Sequence, residues 1–269
     1  MHDWTLLNNE RRGILEQVAQ EWETLLSDTA LLEPAYQRFL EAHAGLFFSR
    51  PTGTHIVLSK PEMGADHVPD LVVVSDNQSY GFKYELIELE SPHDRAFTSK
   101  GRQSAKLTDA LQQVEDWQRW LEKHVDLGRE LFPSKAYMLW GDPQISYKVV
   151  IGRRADMGRN NEVRLQKSAK YNCSIRSFDH LTDQLRKNAF LDHSLFEHDQ
   201  SLTDEDLNRI VSPFFCAMSS AAWKKYRTDK NFSNAHSLGF SGLGILKHRP
   251  ENSALLDRFV NLSIRNLQK

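Results

Sequence analysis

Asp70, Glu88 and Glu90 are the residues whose types and spacing could do chemistry. Glu88 and Glu90 are two residues apart in the run Phe82–Glu90. In a strand both would project from one face, roughly 6.5–7 Å apart by strand rise. Asp70 opens an earlier β-branched run, Leu71 to Ser75, and a hairpin-like return would set it beside the end of the later one. Three carboxylates converging there repel one another strongly unless a cation sits between them. Hard oxygen ligands of this kind select Mg²⁺ or Mn²⁺ over Zn²⁺. Charged residues also guard edge strands against aggregation. Leu86, Ile87 and Leu89 are strongly apolar, however, so a central strand is expected.

The elements that must position these residues follow from hydrophobic period. Ile14, Leu15, Val18, Trp22, Leu25 and Leu26 predict an amphipathic helix over Asn9–Ser27. A second helix should start near Glu33 with Tyr36, Phe39, Leu40 and His43 on one side. Strands are expected at His55–Ser59, Leu71–Ser75, Phe82–Glu90, Tyr147–Ile151 and Ser174–Phe178. Pro92 ends the third, because proline removes a ladder donor. Helices are expected at Ser104–Lys123, Asn160–Tyr171 and His180–Lys187, the first striped by Leu107, Ala110, Leu111, Val114, Trp117 and Leu121. This order predicts an α/β fold, a mixed sheet flanked by helices. After about Asp192 the strands should stop, leaving helices at Glu205–Met218 and Asn252–Leu267. The expected organisation is an N-terminal helical segment (1–28), an α/β domain (29–191) and an α-helical C-terminal extension (192–269).

At 269 residues, 40% hydrophobic and 26% charged, the chain can bury a full core. Its longest aliphatic stretch is Leu71 to Val74, far short of a membrane span. The start, Met-His-Asp-Trp, lacks the apolar core of an export signal, so a cytoplasmic location is expected. Cys173 and Cys216 have no CxxC spacing and read as free thiols, and the 11 histidines include no HExxH zinc pattern. The net charge of −2 hides a basic band: from Lys148 to Arg176 there are eight basic residues against Asp156 and Glu162. Such a band, with Arg153 and Arg154 in it, is either a polyanion contact surface or a solvated helix face. Ser59, Lys60 and Lys100 should lie in loops bracketing the acidic site. Val211, Phe214, Phe215, Met218, Ala221, Ala222 and Trp223 form an apolar cluster that suggests an exposed interface and self-association.

The order Pro69-Asp70, Glu88-Leu89-Glu90 and Gln113-Val-Glu-Asp-Trp117 resembles the PD-(D/E)xK nuclease superfamily with its trailing Gln-x-x-x-Tyr-like motif. Wider matches resemble the nuclease domain of the Shedu anti-phage defence family. They include Glu33 to His43, Gly64-Ala-Asp66, Ile87 to Pro92, Val150-Ile-Gly-Arg-Arg154 and Ser177-Phe-Asp-His-Leu181. The resemblance covers about Trp22 to Lys187, and residues 192–269 fall outside it.

The resemblance implies a restriction-endonuclease-like domain that cuts or nicks DNA with Mg²⁺ or Mn²⁺ in anti-phage defence. Asp70 and Glu88 would be metal ligands, joined by the Leu89 carbonyl. The superfamily usually places Lys where this chain has Glu90, which would instead accept a proton or hold a second metal. Gln113 would position nucleic acid or water, and Lys100, Arg153 and Arg154 would meet phosphates. Glu33 reads as a surface residue, with an outer-sphere carboxylate as the alternative. Two active sites related by two-fold symmetry would suit cutting both strands of a duplex, which suggests a dimer, and the resemblance points further, to a homotetramer. The competing function is a degenerate nuclease fold acting as a nucleic-acid-binding or assembly module.

Overall fold

Among the described residues, six strands pair into one mixed sheet in the order β5-β4-β3-β2-β1-β6. The structure, a computed structural model, describes residues 4–48, 56–65, 67–76, 81–134, 142–190 and 215–228. Strands β1 (Ile56–Ser59), β2 (Leu71–Asp76) and β3 (Phe82–Leu89) form an antiparallel meander. Strand β4 (Gln144–Val150) lies parallel to β3, and β5 (Cys173–Arg176) parallel to β4. A parallel neighbour requires a crossover. Helices α4 (Ala105–Lys123) and α5 (Val125–Leu131) lie on the first crossover. The second holds α6 (Arg154–Met157), a 3₁₀ turn and α7 (Asn161–Lys170). The expected central position of β3 is met: its Leu86, Ile87 and Leu89 are all buried.

The helix α4 begins where its sequence provides a cap. Ser104 Oγ accepts the Leu107 N–H at 3.1 Å, satisfying a donor that the first turn leaves open. Leu107, Ala110, Leu111, Val114 and Trp117 then bury one stripe. On the N-terminal side, α1 (Trp4–Ser27), α2 (Glu33–Ala42), α3 (Ala44–Phe48) and α8 (Phe178–Phe190) meet around an aromatic cluster. Trp22 stacks on Phe39 and Phe178 and meets Phe47 edge-on. Its indole N–H donates to Thr182 Oγ1 at 3.0 Å, so the buried ring leaves no polar group unsatisfied.

The C-terminal expectation needs correction. Met218 lies in a strand, not at the end of a helix: β6 (Met218–Ser219) pairs parallel with β1, and α9 (Ser220–Thr228) follows it. The Gly45 N–H donates to the Phe215 carbonyl at 2.9 Å, and the Ala217 N–H to the Glu41 carbonyl at 2.7 Å, tying the segment to α2 and α3. Phe215, Met218, Ala222 and Trp223 are buried in the chain's own core, while Ala221 is exposed. These four therefore form no exposed interface; they cover an edge of the sheet. Val211 and Phe214, most of the expected helix Glu205–Met218 and all of Asn252–Leu267 lie outside the described residues, as does Asp66. Among the described residues, no helix is long and apolar enough to cross a membrane.

Trp223 is 1% exposed, its ring packs near Tyr84 of β3, and its indole N–H donates to the Leu131 carbonyl at 2.9 Å. Trp223→Ala should lower unfolding free energy by about 3–5 kcal/mol through the cavity and the lost donor. Urea titration of the full chain checks this; a loss below ~1 kcal/mol would show that the segment is not part of the core.

Candidate active site on the β2–β3 ladder

The register of two strands sets the floor of the site. Leu71 pairs with Ile87, so one step further Asp70 stands level with Glu88 on the same sheet face. The Leu89 N–H donates to Asp70 Oδ2 at 2.9 Å and fixes the carboxylate across the strands. Beyond the end of β3, the Glu90 N–H donates to the Val150 carbonyl at 2.9 Å, extending the pairing toward β4. On the other side, the Lys60 N–H donates to the Asp70 carbonyl at 3.1 Å. Lys60 takes a φ of 45°, the left-handed region that non-glycine residues adopt at a cost of roughly 1–2 kcal/mol. Glu88 and Glu90 are 7% and 5% exposed, which is rare for carboxylates.

Two helices wall this floor. From α4, Gln113 hydrogen-bonds Glu88, and Lys106 Nζ lies 3.3 Å from Glu90 Oε2. From α2, Glu33, Gln37 and Glu41 recur at four-residue steps and so share a face. Gln37 Nε2 donates to Glu41 Oε1 at 3.0 Å, and Ser59 Oγ donates to the same oxygen at 2.7 Å. Glu41 lies near enough to raise the Asp70 pKa, and Glu33 near enough to raise those of Glu88 and Glu90. Glu33 is thus half-buried and coupled to the site, not the surface residue expected. Lys106 and the polar face of α2 escaped the sequence reading. Helical spacing could have shown both, since Lys106 precedes Gln113 by two turns and the α2 residues step by four.

Electrostatically the carboxylates outnumber the cations, Lys60 and Lys106, that act on them. Burial, reinforced by Glu41 and Glu90, pushes Asp70 up to about 6 against the Leu89 hydrogen bond and the pull of Lys60. Burial, then Asp70, Glu90 and Glu33, pushes Glu88 up to about 9. Burial also raises Glu90 despite Lys106, and burial followed by Asp70 raises Glu33. Among the described residues no three His, Cys, Asp or Glu side chains are gathered closely enough to cage a metal ion. Mg²⁺ needs no such cage, because it keeps several waters and takes only one or two carboxylates. Asp70 and Glu88 are hard oxygen donors. Glu90 Oε2 is buried with the Lys106 ammonium at 3.3 Å, a place where a cation is already favoured, so the donor set fits such an ion in kind.

The basic residues expected at phosphates are placed differently from one another. Lys100 is exposed in the loop between β3 and α4. That loop is pinned by Gly152, whose N–H donates to the Ser91 carbonyl at 3.1 Å. Gly152 has φ +65°, and a Cβ there would meet the Asp94 carbonyl oxygen at 2.4 Å, so only glycine fits. Arg153 Nη2 and Nε hold Asp179 at 2.9 and 3.2 Å, and its Nη1 donates to the Leu26 carbonyl at 3.4 Å. Arg154 pairs with Asp183 and donates its backbone N–H to Asp179. Lys148 donates to Glu85 at 2.6 Å. Arg153 therefore ties β4 to α8 and α1, and any phosphate must compete with Asp179 for it.

The raised carboxylates make a stability statement. The folded protein, without a bound cation, holds more protons than the unfolded chain from the ordinary carboxylate range up to about 9. Their contribution is intact below the ordinary value and is lost as pH rises through the folded values. Glu88→Gln removes the ionisation and keeps the shape. In chelator, the variant should melt higher than the wild-type chain, with a gap that widens from pH 5 to pH 8. Each kcal/mol relieved should appear as about 2–4 °C. Thermal melts at both pH values check this, and a gap independent of pH would contradict it.

Comparison with curated proteins gives no significant match. A family model described as Shedu protein SduA, C-terminal, matches residues 30–182, more than half of the chain. The matched span takes in both helical walls and the whole acidic floor, from Glu33 through Asp70 and Glu90 to Gln113. This chain belongs to the Shedu SduA C-terminal family.

Proposed function

We propose that the chain is a metal-dependent endonuclease that hydrolyses DNA phosphodiester bonds in defence against phage, acting in the cytoplasm. The observation that carries this reading is the level placement of Asp70 and Glu88 on a buried sheet face where carboxylates outnumber cations. Asp70, Glu88 and the Leu89 carbonyl would hold Mg²⁺ or Mn²⁺. A bound divalent cation polarises phosphoryl oxygens and acidifies attacking water. Glu90 would help hold a second cation beside those ligands, and Gln113 keeps Glu88 oriented. Lys100 and the basic residues between Lys148 and Arg176 draw in the phosphate backbone, with Arg153 contributing chiefly by fixing Asp179. Membership of the family supports the defence role. The homo-oligomeric state rests on the same resemblance, since Phe215, Met218, Ala222 and Trp223 are buried in the chain's own core; light scattering measures it.

The deciding experiment incubates purified protein with supercoiled plasmid, linear duplex and RNA, in Mg²⁺, Mn²⁺ or chelator. Nicked or linear DNA should form only with a divalent cation, and Glu88→Ala should reduce cleavage to background because an inner ligand is lost. Cleavage of RNA alone would reassign the substrate. Nucleic-acid binding without any metal-dependent cleavage would replace the enzyme with a binding module.

A further inference from the structure

Lys106 stands where local chemistry argues against a lysine. It is the second residue of α4, and a cation in a helix's first turn faces the positive end of the helix dipole. Its partner explains the placement. The ammonium lies 3.3 Å from Glu90 Oε2, and the two side chains are 54% and 6% exposed. At that distance the ammonium is the cation that opposes the burial of Glu90. A long side chain more than half in solvent can leave with little loss of packing, whereas Glu90 cannot move out of the core. Gln113, two turns further along the helix, engages Glu88 and does not depend on the ammonium.

We propose that Lys106 is a displaceable counter-cation, which holds Glu90 until a divalent cation takes it over and so frees the ammonium for a nucleic-acid phosphate. The proposal rests on the metal-dependent reading above. Two cations cannot share one carboxylate oxygen without strong repulsion, and a divalent charge outcompetes a monovalent one at the same distance. Glu33 and Asp94 also act on Lys106, so the released ammonium stays within an acidic surround that keeps it near the site. Cation binding and phosphate binding are thereby ordered: the lysine becomes available only after the acidic floor has been neutralised.

The test uses the full chain and reads binding, not turnover. Mn²⁺ titrations at fixed pH and ionic strength compare the wild-type chain, Lys106→Met, Lys106→Arg and Glu88→Gln. Lys106→Met should bind Mn²⁺ roughly two- to five-fold more tightly, the scale of one partly exposed ion pair. Lys106→Arg should return to the wild-type affinity, and Glu88→Gln should abolish binding. In Ca²⁺, Lys106→Met should weaken binding of a duplex oligonucleotide and make its salt dependence shallower by about one phosphate contact, with no change in chelator. Equal or weaker Mn²⁺ binding by Lys106→Met, or the same loss of duplex affinity with and without the cation, overturns the proposal for Lys106 alone. Absence of Glu88-dependent Mn²⁺ binding in the wild-type chain overturns the metal reading and this proposal with it.

Discussion

Asp70 and Glu88 face one another because β2 and β3 pair antiparallel with Leu71 against Ile87. A slip of one residue in that ladder would turn Asp70 to the opposite face and exchange Val72 and Val74 for Leu71 and Val73. The register is guarded from both sides. Leu71, Val72, Val74, Leu86 and Ile87 are all fully buried, so neither face of the pair tolerates the exchange. The Leu89 N–H then closes on Asp70 Oδ2, spending on a side chain the donor that a longer β2 would have taken. The acidic floor is therefore a consequence of apolar packing, with its carboxylates placed at the point where the hairpin ladder ends.

Such a floor opposes the stability of the domain that carries it. Carboxylates this deeply buried disfavour their own charge, and Glu33, Glu41 and Glu90 add repulsion instead of relief. The surrounding fold compensates at several points. The Leu89 N–H and the Lys60 charge pull Asp70 down, Gln113 pulls Glu88 down, and Lys106 pulls Glu90 down. Tension of this kind concentrates where binding of a ligand can release it.

The basic segment after β4 serves architecture before it serves any polyanion. Arg153 reaches the end of α1 and the start of α8 at once, and Arg164 donates to the Ile175 carbonyl at 2.9 Å. Counting charges along this stretch overstates the positive surface on offer, because several of its cations are engaged with Asp179, Asp183 and Glu85.

Short-range pattern fixed much of this protein in advance. Period-two alternation placed Glu88 and Glu90 on one face of a central strand, and period 3.6 marked α1, α4 and α8, because these depend only on which neighbours share a face. Helix α3, helix α5 and the strand at Met218–Ser219 were not legible. Each is short, and β6 exists only because β1 offers an edge to pair with. The same limit applies to the site. Sequence named Asp70, Glu88, Glu90 and Gln113, whose spacing along two strands and a helix carries the information. Tertiary structure alone decided that Lys106 meets Glu90, that the Glu33–Glu41 face of α2 borders Asp70, and that Arg153 is held by Asp179. Those are contacts between elements far apart in the chain, and no local period encodes them.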